Sequence, residues 1–272
     1  MNWSDRLRTQ LASLAKRYAE TRGIPHYFSL GPNPAVMFEP YDGDRHGNFL
    51  EASYRAILAH PSWRRWECKP HPRRRALPVE KRRQAKELDS CNSSDALLMN
   101  VFCFPEVARF PRVFRLFGQE SGCVPEFGVP GMVPRIGGEI DDTEIDMQLA
   151  GSFVEAKLTE ADFTAKRKAH VELYRDFEAV FEATALPQDG DNYMNYQLIR
   201  NVLAAFAHKR EFVLLCDSRR TDLLQSWSEV MRCIKVPELR SRCRVVLWQE
   251  LAAELPGELR AFLAEKYGIQ AT

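Results

Sequence analysis

The sequence predicts an α/β protein in which helices cover both faces of a central mixed β-sheet. Apolar and polar residues alternate at 143–149 and 153–158, a pattern that is typical of strands. The apolar segments at 211–216 and 243–248 indicate two buried strands. Segments with apolar residues at helical spacing lie between these strands, and such interleaving implies helices on both faces of one sheet.

The individual elements follow from local patterns, taken in order along the chain. Apolar residues share one helical face over 5–19, which predicts a first helix with Ser4 as its N-cap. Glycines and prolines predict irregular structure at 23–47 and a loop or short strand at 118–138. The other predicted elements are a helix from Asn48 to Pro61, a helix at 94–102, a hairpin turn at 150–152, long helices at 160–183 and 192–208, a helix around 221–232, and a closing helix to Tyr267 capped by Gly268.

Composition narrows the class of protein. The chain has 272 residues, 45% hydrophobic and 28% charged, which excludes disordered, collagen-like and coiled-coil proteins. No linker divides it, so we expect a single domain over 1–272, with an N-terminal helix and irregular arm at 1–47 and a core at 48–272. Short apolar runs and a charged N-terminus predict no membrane span and no secretory signal. The seven scattered cysteines are then expected to be reduced, in a cytoplasmic protein.

The predicted hairpin carries a polar face. Because side chains alternate along a strand, Asp146 is expected to lie close to Glu155 and Lys157 of the next strand. Such a face is common in a solvent-exposed antiparallel hairpin, in which Lys157 would protect an edge strand. The helices that follow need apolar surface to pack against, however, so they would partly cover this face. Partly desolvated carboxylates resist ionisation, and a divalent cation is the usual remedy.

Magnesium fits these side chains, since it prefers oxygen ligands and takes one or two carboxylates while keeping several waters. We therefore expect Asp146 and Glu155 to bind Mg²⁺, for which Mn²⁺ would substitute. Lys157 would orient the attacking water, favour hydroxide, or balance the charge of a phosphorane-like transition state.

The hairpin resembles a known nuclease signature. Glu144-Ile145-Asp146, eight further residues and then Glu155-Ala156-Lys157 are similar to the D…ExK motif of the PD-(D/E)XK nuclease superfamily, the restriction-endonuclease-like fold. The resemblance covers roughly residues 48–250 and implies a restriction-endonuclease-like core that hydrolyses phosphodiester bonds with magnesium. The sequence departs from that core before Gly138, where the first core strand is not evident.

The resemblance also implies two further catalytic candidates. Many members of the superfamily use a glutamate of the first core helix and some use a glutamine of a later helix, which here correspond to Glu51 and Gln197. Glu51 lies three residues after Asn48 at a helix start, so it is equally typical of a capping box. Gln197 would point at substrate or face solvent.

A basic segment occupies residues 62–88. Between 64 and 86 only Glu67 and Glu80 oppose ten lysines and arginines, and Trp63 and Trp66 lie at the start. Segregated basic residues beside aromatic ones are typical of contacts with a nucleic-acid backbone and of base stacking, whereas charge runs in general are solvated surfaces. The arginines expected to contact nucleic acid are Arg64, Arg65, Arg73, Arg74, Arg75, Arg82 and Arg83.

Together these features predict a magnesium-dependent nuclease, an enzyme whose substrate is DNA, with RNA not excluded. Two alternatives remain open. The first is a nucleic-acid-binding protein of the same fold without catalytic activity. The second is an adaptor whose basic segment binds an acidic protein partner.

Overall fold

A central five-stranded sheet organises the fold in a computed structural model that describes residues 2–120 and 122–272. Its strands are β1 Glu126–Pro130, β2 Glu144–Leu149, β3 Ser152–Lys157, β4 Glu211–Cys216 and β5 Cys243–Leu247. Their spatial order is β5-β4-β3-β2-β1. The pairs β3–β4 and β4–β5 are parallel, whereas β1–β2 and β2–β3 are antiparallel. The sheet is therefore mixed, as predicted.

Helices surround this sheet. They are α1 Trp3–Arg22, α2 Glu51–Ala59, α3 Pro61–Glu67, α4 Ser94–Phe102, α5 Pro111–Leu116, α6 Lys168–Val171, α7 Phe177–Val180, α8 Tyr196–Ala207, α9 Thr221–Met231, α10 Pro237–Ser241, α11 Trp248–Ala253 and α12 Gly257–Tyr267. Gly268 ends α12 in a left-handed conformation, with φ of 63°, which confirms the predicted C-cap.

Two apolar cores lie on opposite faces of the sheet. Val154 and Ala156 of β3 belong to the core that α1, α4, α11 and α12 cover. Phe153, on the other face of the same strand, belongs to the core that α8 and α9 cover. Alternation along one strand thus divides its side chains between the two cores, and the prediction of helices on both faces is confirmed.

Short strands connect the main elements. His26–Phe28 pairs with Val36–Phe38, Pro40–Tyr41 with Arg45–His46, and Val133–Pro134 with Ile140–Asp141. Asn192–Met194 lies between Ala165–Arg167 and Gln188–Asp189 in a three-stranded sheet.

The predicted helix over 160–183 is wrong. Asp162 accepts the Thr164 N–H at 2.7 Å, and Thr164 adopts a left-handed conformation with φ of 59°. The chain then enters the strand Ala165–Arg167, and only α6 and α7 are helical in the remainder. A local side-chain hydrogen bond and strand pairing with Asn192–Met194 therefore outweigh a favourable helical pattern.

The start of α1 also differs from the prediction. Asn2 caps this helix, since its Oδ1 accepts the Asp5 N–H at 2.8 Å. Ser4 lies inside the helix, and its hydroxyl donates to the carbonyl of Thr159 at 2.6 Å. The prediction of Ser4 as the cap is wrong because this side chain serves a tertiary contact.

Candidate active site

Two side chains of β3 lie buried between the sheet and α8. Glu155 is 2% exposed and Lys157 is 5% exposed. In the register of β3 with β4, Glu155 lies opposite Leu214 and Phe153 opposite Phe212, and all three apolar residues belong to the core that α8 covers. The alternative of a solvated hairpin face is therefore wrong at these positions.

Hydrogen bonds hold Glu155 from both sides. Its Oε1 lies 2.8 Å from Lys157 Nζ, and its Oε2 accepts from Asn201 Nδ2 at 2.8 Å. Asn201 Oδ1 in turn accepts from the Arg200 guanidinium at 2.9 and 3.1 Å. Arg200 also donates to the backbone carbonyl of Glu144 at 3.0 Å. These contacts link β3 to α8 and to the start of β2.

Asp146 occupies the place where β2 and β3 separate. The two strands pair from Met147 to Leu149, and beyond that point the Asp146 Oδ2 accepts the Ala156 N–H at 2.8 Å. A side chain thus replaces the backbone ladder next to Glu155. On its other side, the register of β1 with β2 places Gly128 opposite Asp146.

Asp146, Glu155 and Lys157 form a cluster whose members carry unequal charges. The pKa of Asp146 is raised well above its ordinary value by burial and then by the charges of Glu155 and Asp95. Burial also opposes ionisation of Glu155, but Lys157 and Arg200 outweigh it and lower the pKa. Burial opposes protonation of Lys157, but Glu155, Glu160 and Asp146 raise its pKa overall. Lys157 is therefore a cation and Glu155 an anion, whereas the attraction of Lys157 does not offset the effect of burial and of the neighbouring acids on Asp146.

Asp95 is a fourth member of the cluster, and the sequence did not indicate it. It lies in the first turn of α4, where Ser93 provides the N-cap by accepting the Ala96 N–H. Its pKa is raised to about 7 by burial, against the attraction of Lys69. Lys69 Nζ lies 3.2 Å from Asp95 Oδ2 and 2.9 Å from Glu144 Oε1. An acidic residue in a first helical turn is usual, so only its burial marks Asp95 as special.

The two helix candidates from the sequence occupy different surroundings. The Glu51 carboxylate pairs with Arg45 at 2.9 Å and with Arg55 at 2.6 Å, and neither arginine belongs to the buried cluster. Glu51 is the first residue of α2, whose N-cap Leu50 makes no side-chain capping bond, so the capping-box interpretation is wrong. Gln197 lies one turn before Asn201 on α8 and lines a cleft together with Lys157.

That cleft has a volume of about 470 Å³ and opens beside Lys157. The loop after β3 forms one wall, with Thr159 and Glu160, and Ser93 and Ser94 at the start of α4 contribute another part. Glu160 accepts the Leu158 N–H and the Ser94 hydroxyl, each at 2.6 Å, which ties the two walls together. A ligand in this cleft would meet the Lys157 side of the cluster.

The basic segment divides into paired lysines and exposed arginines. Lys69 contacts Asp95, Lys81 contacts Glu39 and Lys86 lies 2.6 Å from Glu67. The arginines that face solvent are Arg64, Arg65, Arg73, Arg74, Arg75 and Arg83. Among the residues that the structure describes, none of these six lies within ion-pair distance of a carboxylate. Arg82 is half-buried and donates to the Leu77 and Arg75 carbonyls.

The two tryptophans of this segment contact the edge of the central sheet. Trp63 Nε1 donates to the Pro125 carbonyl at 2.9 Å, and Trp66 Nε1 donates to the Phe127 carbonyl at 3.0 Å. Both half-buried rings pack against β1 and its approach, and base stacking by them stays a prediction. They join the basic segment to the edge of the central sheet.

The cluster offers a limited set of metal ligands. Over 2–120 and 122–272, no group of three or more His, Cys, Asp or Glu side chains is arranged to hold a metal ion. Two carboxylates suffice for Mg²⁺, however, because this ion completes its shell with water. The pKa of Asp146 is raised because Lys157 does not offset burial and the neighbouring acids, and a divalent ion would add positive charge there. The residues present therefore fit Mg²⁺, although Glu155 would share its oxygens with Lys157 and Asn201.

Comparison with known proteins identifies the family. Residues 14–268 match a family described as "Restriction Endonuclease associating with ARP". No curated protein and no solved structure matches the chain. In the described parts of the chain, no helix combines the length and apolar character that crossing a bilayer requires. The resemblance to restriction-endonuclease-like nucleases is confirmed. The family match suggests nuclease activity and implies a nucleic-acid substrate. Because the match covers almost the whole sequence, the chain belongs to this family of restriction endonucleases.

Proposed function

We propose that this protein is a magnesium-dependent nuclease that hydrolyses phosphodiester bonds in DNA. The proposal rests above all on the cluster of half-buried Asp146 with buried Glu155 and Lys157, whose lysine lines an open cleft. Burying charged groups is costly, so two acids and one amine that are largely withdrawn from solvent call for a functional reason.

Asp146 and Glu155 would hold the metal ion, and Asp95 would add negative charge beside them. A bound Mg²⁺ would act as a Lewis acid on the phosphate and favour ionisation of a water nucleophile. This assignment agrees with the unequal charges of the cluster, since Lys157 does not offset the burial and the neighbouring acids that raise the pKa of Asp146. We propose Asp95 in place of Glu51 as the acidic residue contributed by a helix.

Lys157 would act as a charged hydrogen-bond donor rather than as a general base. Its raised pKa keeps the amine protonated at neutral pH, so it cannot accept a proton from water. An ammonium group at the cleft would orient the attacking water and stabilise the negative charge that develops on the phosphate. Gln197 lines the same cleft and would contact the substrate.

Several residues position this ammonium group. Trp248 Nε1 donates to the Lys157 carbonyl at 3.1 Å, from the face opposite to the cluster. Asn201 holds Glu155, which in turn holds Lys157. Such support from packed elements keeps a catalytic geometry fixed.

Plasmid cleavage by Asp146→Asn and Lys157→Met tests the proposal. We expect each variant to cut at least about 100-fold more slowly than the parent in Mg²⁺, because each loses charge used in the transition state. Glu126→Gln is the matched control, since Glu126 is an exposed acid on β1, and it should cut at the parent rate. Parent-like cutting by Asp146→Asn would exclude the assignment.

A thermal measurement makes this test independent of activity. Removing Lys157 leaves Glu155 buried without its cation, so Lys157→Met should be less stable. Asp146→Asn should be at least as stable as the parent, because burial disfavours the carboxylate that it replaces. Mg²⁺ should raise the Tm of the parent and not that of Asp146→Asn. A metal-induced shift of equal size in both proteins would contradict metal binding at Asp146.

A catalytically inactive nucleic-acid-binding protein is the second candidate. It is favoured by the saturation of Glu155, whose two oxygens already contact Lys157 and Asn201. A titration with Mg²⁺ and then Mn²⁺ separates the candidates. Binding of DNA without cleavage at any metal concentration would support the inactive protein.

A further inference from the structure

Arg8 of α1 and Arg73 of the basic segment line the same cleft as Lys157. Arg8 lies before residue 14, where the match to the restriction endonuclease family begins. Helix α1 is fixed to the loop after β3, because both Ser4 Oγ and Arg8 Nε donate to the Thr159 carbonyl, at 2.6 and 3.1 Å. Arg8 is therefore anchored to a carbonyl that lies two residues after Lys157 along the chain.

The remaining donors of the two guanidinium groups are available to a ligand. In the portion of the chain that the structure describes, neither Arg8 nor Arg73 lies within 4.0 Å of a carboxylate oxygen. Burial and the charge of Arg73 both lower the pKa of Arg8, against the attraction of Asp5 and Glu160. Arg8 is half-buried and Arg73 is exposed; two cations that line one cleft repel each other, and an anion between them relieves that repulsion.

The acidic side chains of the cleft are occupied by other partners. Glu160 accepts the Leu158 N–H and the Ser94 hydroxyl. Glu87 pairs with Lys69 at 3.1 Å, and Asp162 accepts the Thr164 N–H at 2.7 Å. The carboxylate oxygens of these acids thus already accept hydrogen bonds or ion pairs from the protein, whereas Arg8 and Arg73 keep N–H donors that a ligand can use.

We propose that Arg8 and Arg73 form a subsite for one phosphodiester group of the DNA strand, next to the bond that is cut. The proposal rests on the nuclease function proposed above and adds to it a residue from the first helix. A guanidinium group suits this role, since its fork of N–H donors binds two phosphate oxygens at once. The anchor on Thr159 fixes the position of this phosphate relative to Lys157.

A phosphate-by-phosphate binding experiment tests the subsite. Asp146→Asn is used as the parent so that DNA stays intact, and fluorescence anisotropy gives its Kd for a single-stranded oligonucleotide. A set of oligonucleotides then carries one uncharged methylphosphonate at each position in turn. We expect one position to weaken binding about 10-fold, and Arg8→Gln in the same parent to weaken binding of the unmodified strand by a similar factor.

The decisive comparison combines the two changes. Arg8→Gln should bind the strand neutralised at that position nearly as well as the unmodified strand, because only Arg73 then remains to contact this phosphate. Equal sensitivity of Arg8→Gln and its parent at every position would overturn the proposal. Arg17→Gln, which removes an exposed arginine from the same helix, should keep the parent's full pattern.

Two further controls separate other causes. Ser4→Ala removes the second anchor on Thr159 without changing charge, so it should keep the sensitivity to the neutralised phosphate. If Ser4→Ala abolishes that sensitivity as Arg8→Gln does, loop position rather than phosphate contact is responsible and the subsite is refuted. Failure of the wild-type protein to cut plasmid would refute the nuclease function, whereas the binding comparison would still decide the subsite.

Discussion

Asp95 and Glu51 are both acidic residues in the first turn of a helix, yet their surroundings differ. Asp95 is 7% exposed and lies where its charge raises the pKa of Asp146. The Glu51 side chain is 39% exposed and pairs with two arginines. Burial of an acid beside other acids is a cost that a metal site repays, whereas an exposed ion pair contributes at most about 1 kcal/mol.

Asp95→Asn and Glu51→Gln therefore distinguish the two residues. We expect Asp95→Asn to reduce plasmid cleavage at least about 10-fold, because negative charge is lost beside the proposed metal ligands. Glu51→Gln should cut within about twofold of the parent, since it changes only surface ion pairs. The measurement is the initial rate of supercoiled plasmid loss in Mg²⁺. The reverse ranking would restore Glu51 as the catalytic acid of the helix.

The sequence alone predicts three residues of this site but not the fourth, Asp95. Asp146, Glu155 and Lys157 could be grouped because strand alternation is a local rule and the turn between their strands is short. Asp95 could not be found in this way, since α4 packs against β3 across some 60 residues of chain. The burial of Asp95, which raises its pKa, depends on those distant contacts and cannot be predicted from the neighbouring residues of α4.

At the scale of elements, β1 shows how a strand is formed from an unfavourable sequence. Glycine and proline usually interrupt strands, so 118–138 predicts only a loop or a short strand. Pro130 is tolerated because it ends a strand at the edge of the sheet. Gly128 is tolerated because the indole of Trp66 packs over it, and a Cβ there would lie 1.7 Å from Trp66 Cζ2. The partner that rescues this strand lies in another element, α3.

Gly128→Ala tests that contact against Gly190→Ala. Both glycines are left-handed, with φ of 58° and 53°, so each substitution should cost about 1 kcal/mol of backbone strain. Only Gly128→Ala collides with Trp66, since no atom lies within 4 Å of a Cβ at Gly190. We expect Gly128→Ala to lower the free energy of unfolding by roughly 2 kcal/mol more than Gly190→Ala, measured in urea. Equal losses would show that the indole is not fixed there.

The same scale explains the helix that does not form over 160–183. Periodicity identified α9 and most of α8, because each buries a continuous apolar face. The predicted helix over 192–208 began too early, since Asn192–Met194 is a strand. In 160–183 the apolar residues Phe163, Val171 and Tyr174 are also buried, but they reach the core from a chain of short elements. A pattern of burial predicts which residues enter the core more reliably than it predicts the backbone that carries them.

For the molecule as a whole, stability at alkaline pH should reflect a buried amine. Lys266 is 1% exposed, donates to the Asn48 carbonyl at 2.6 Å and lies 4.8 Å from the ring centroid of Phe38. Its pKa is well below the ordinary value because of burial, with a small opposing effect of Cys91. Between the folded and unfolded pKa values, the unfolded chain binds one more proton. The free energy of unfolding therefore rises with pH there, by up to about 1.4 kcal/mol per unit.

Lys266→Met should remove this dependence. We expect Lys266→Met to have the higher free energy of unfolding at pH 7. The difference from the parent should shrink as the pH rises from 7 to 9, measured by urea unfolding. Burial raises the pKa of Tyr18 to about 12 and that of Cys91 to about 11, and both groups are present in the two proteins, so their effect on stability cancels in the comparison. His46 also faces this region, and burial lowers its pKa below the window. Parallel stability curves for the two proteins would show that Lys266 does not titrate there.

Charge segregation is the other property of the whole molecule. The net charge is only +1, yet Arg73, Arg74 and Arg75 all face solvent on one loop. Each arginine that neutralises a phosphate of duplex DNA contributes about 0.9 to the slope of log Kd against log salt. Replacing the three by glutamine should therefore reduce that slope by about 2 to 3, whereas a triple variant of the exposed residues Arg17, Arg232 and Arg260 should leave it unchanged. Because both triple variants change the net charge equally, equal reductions would mean that overall charge, and not this loop, binds the DNA backbone.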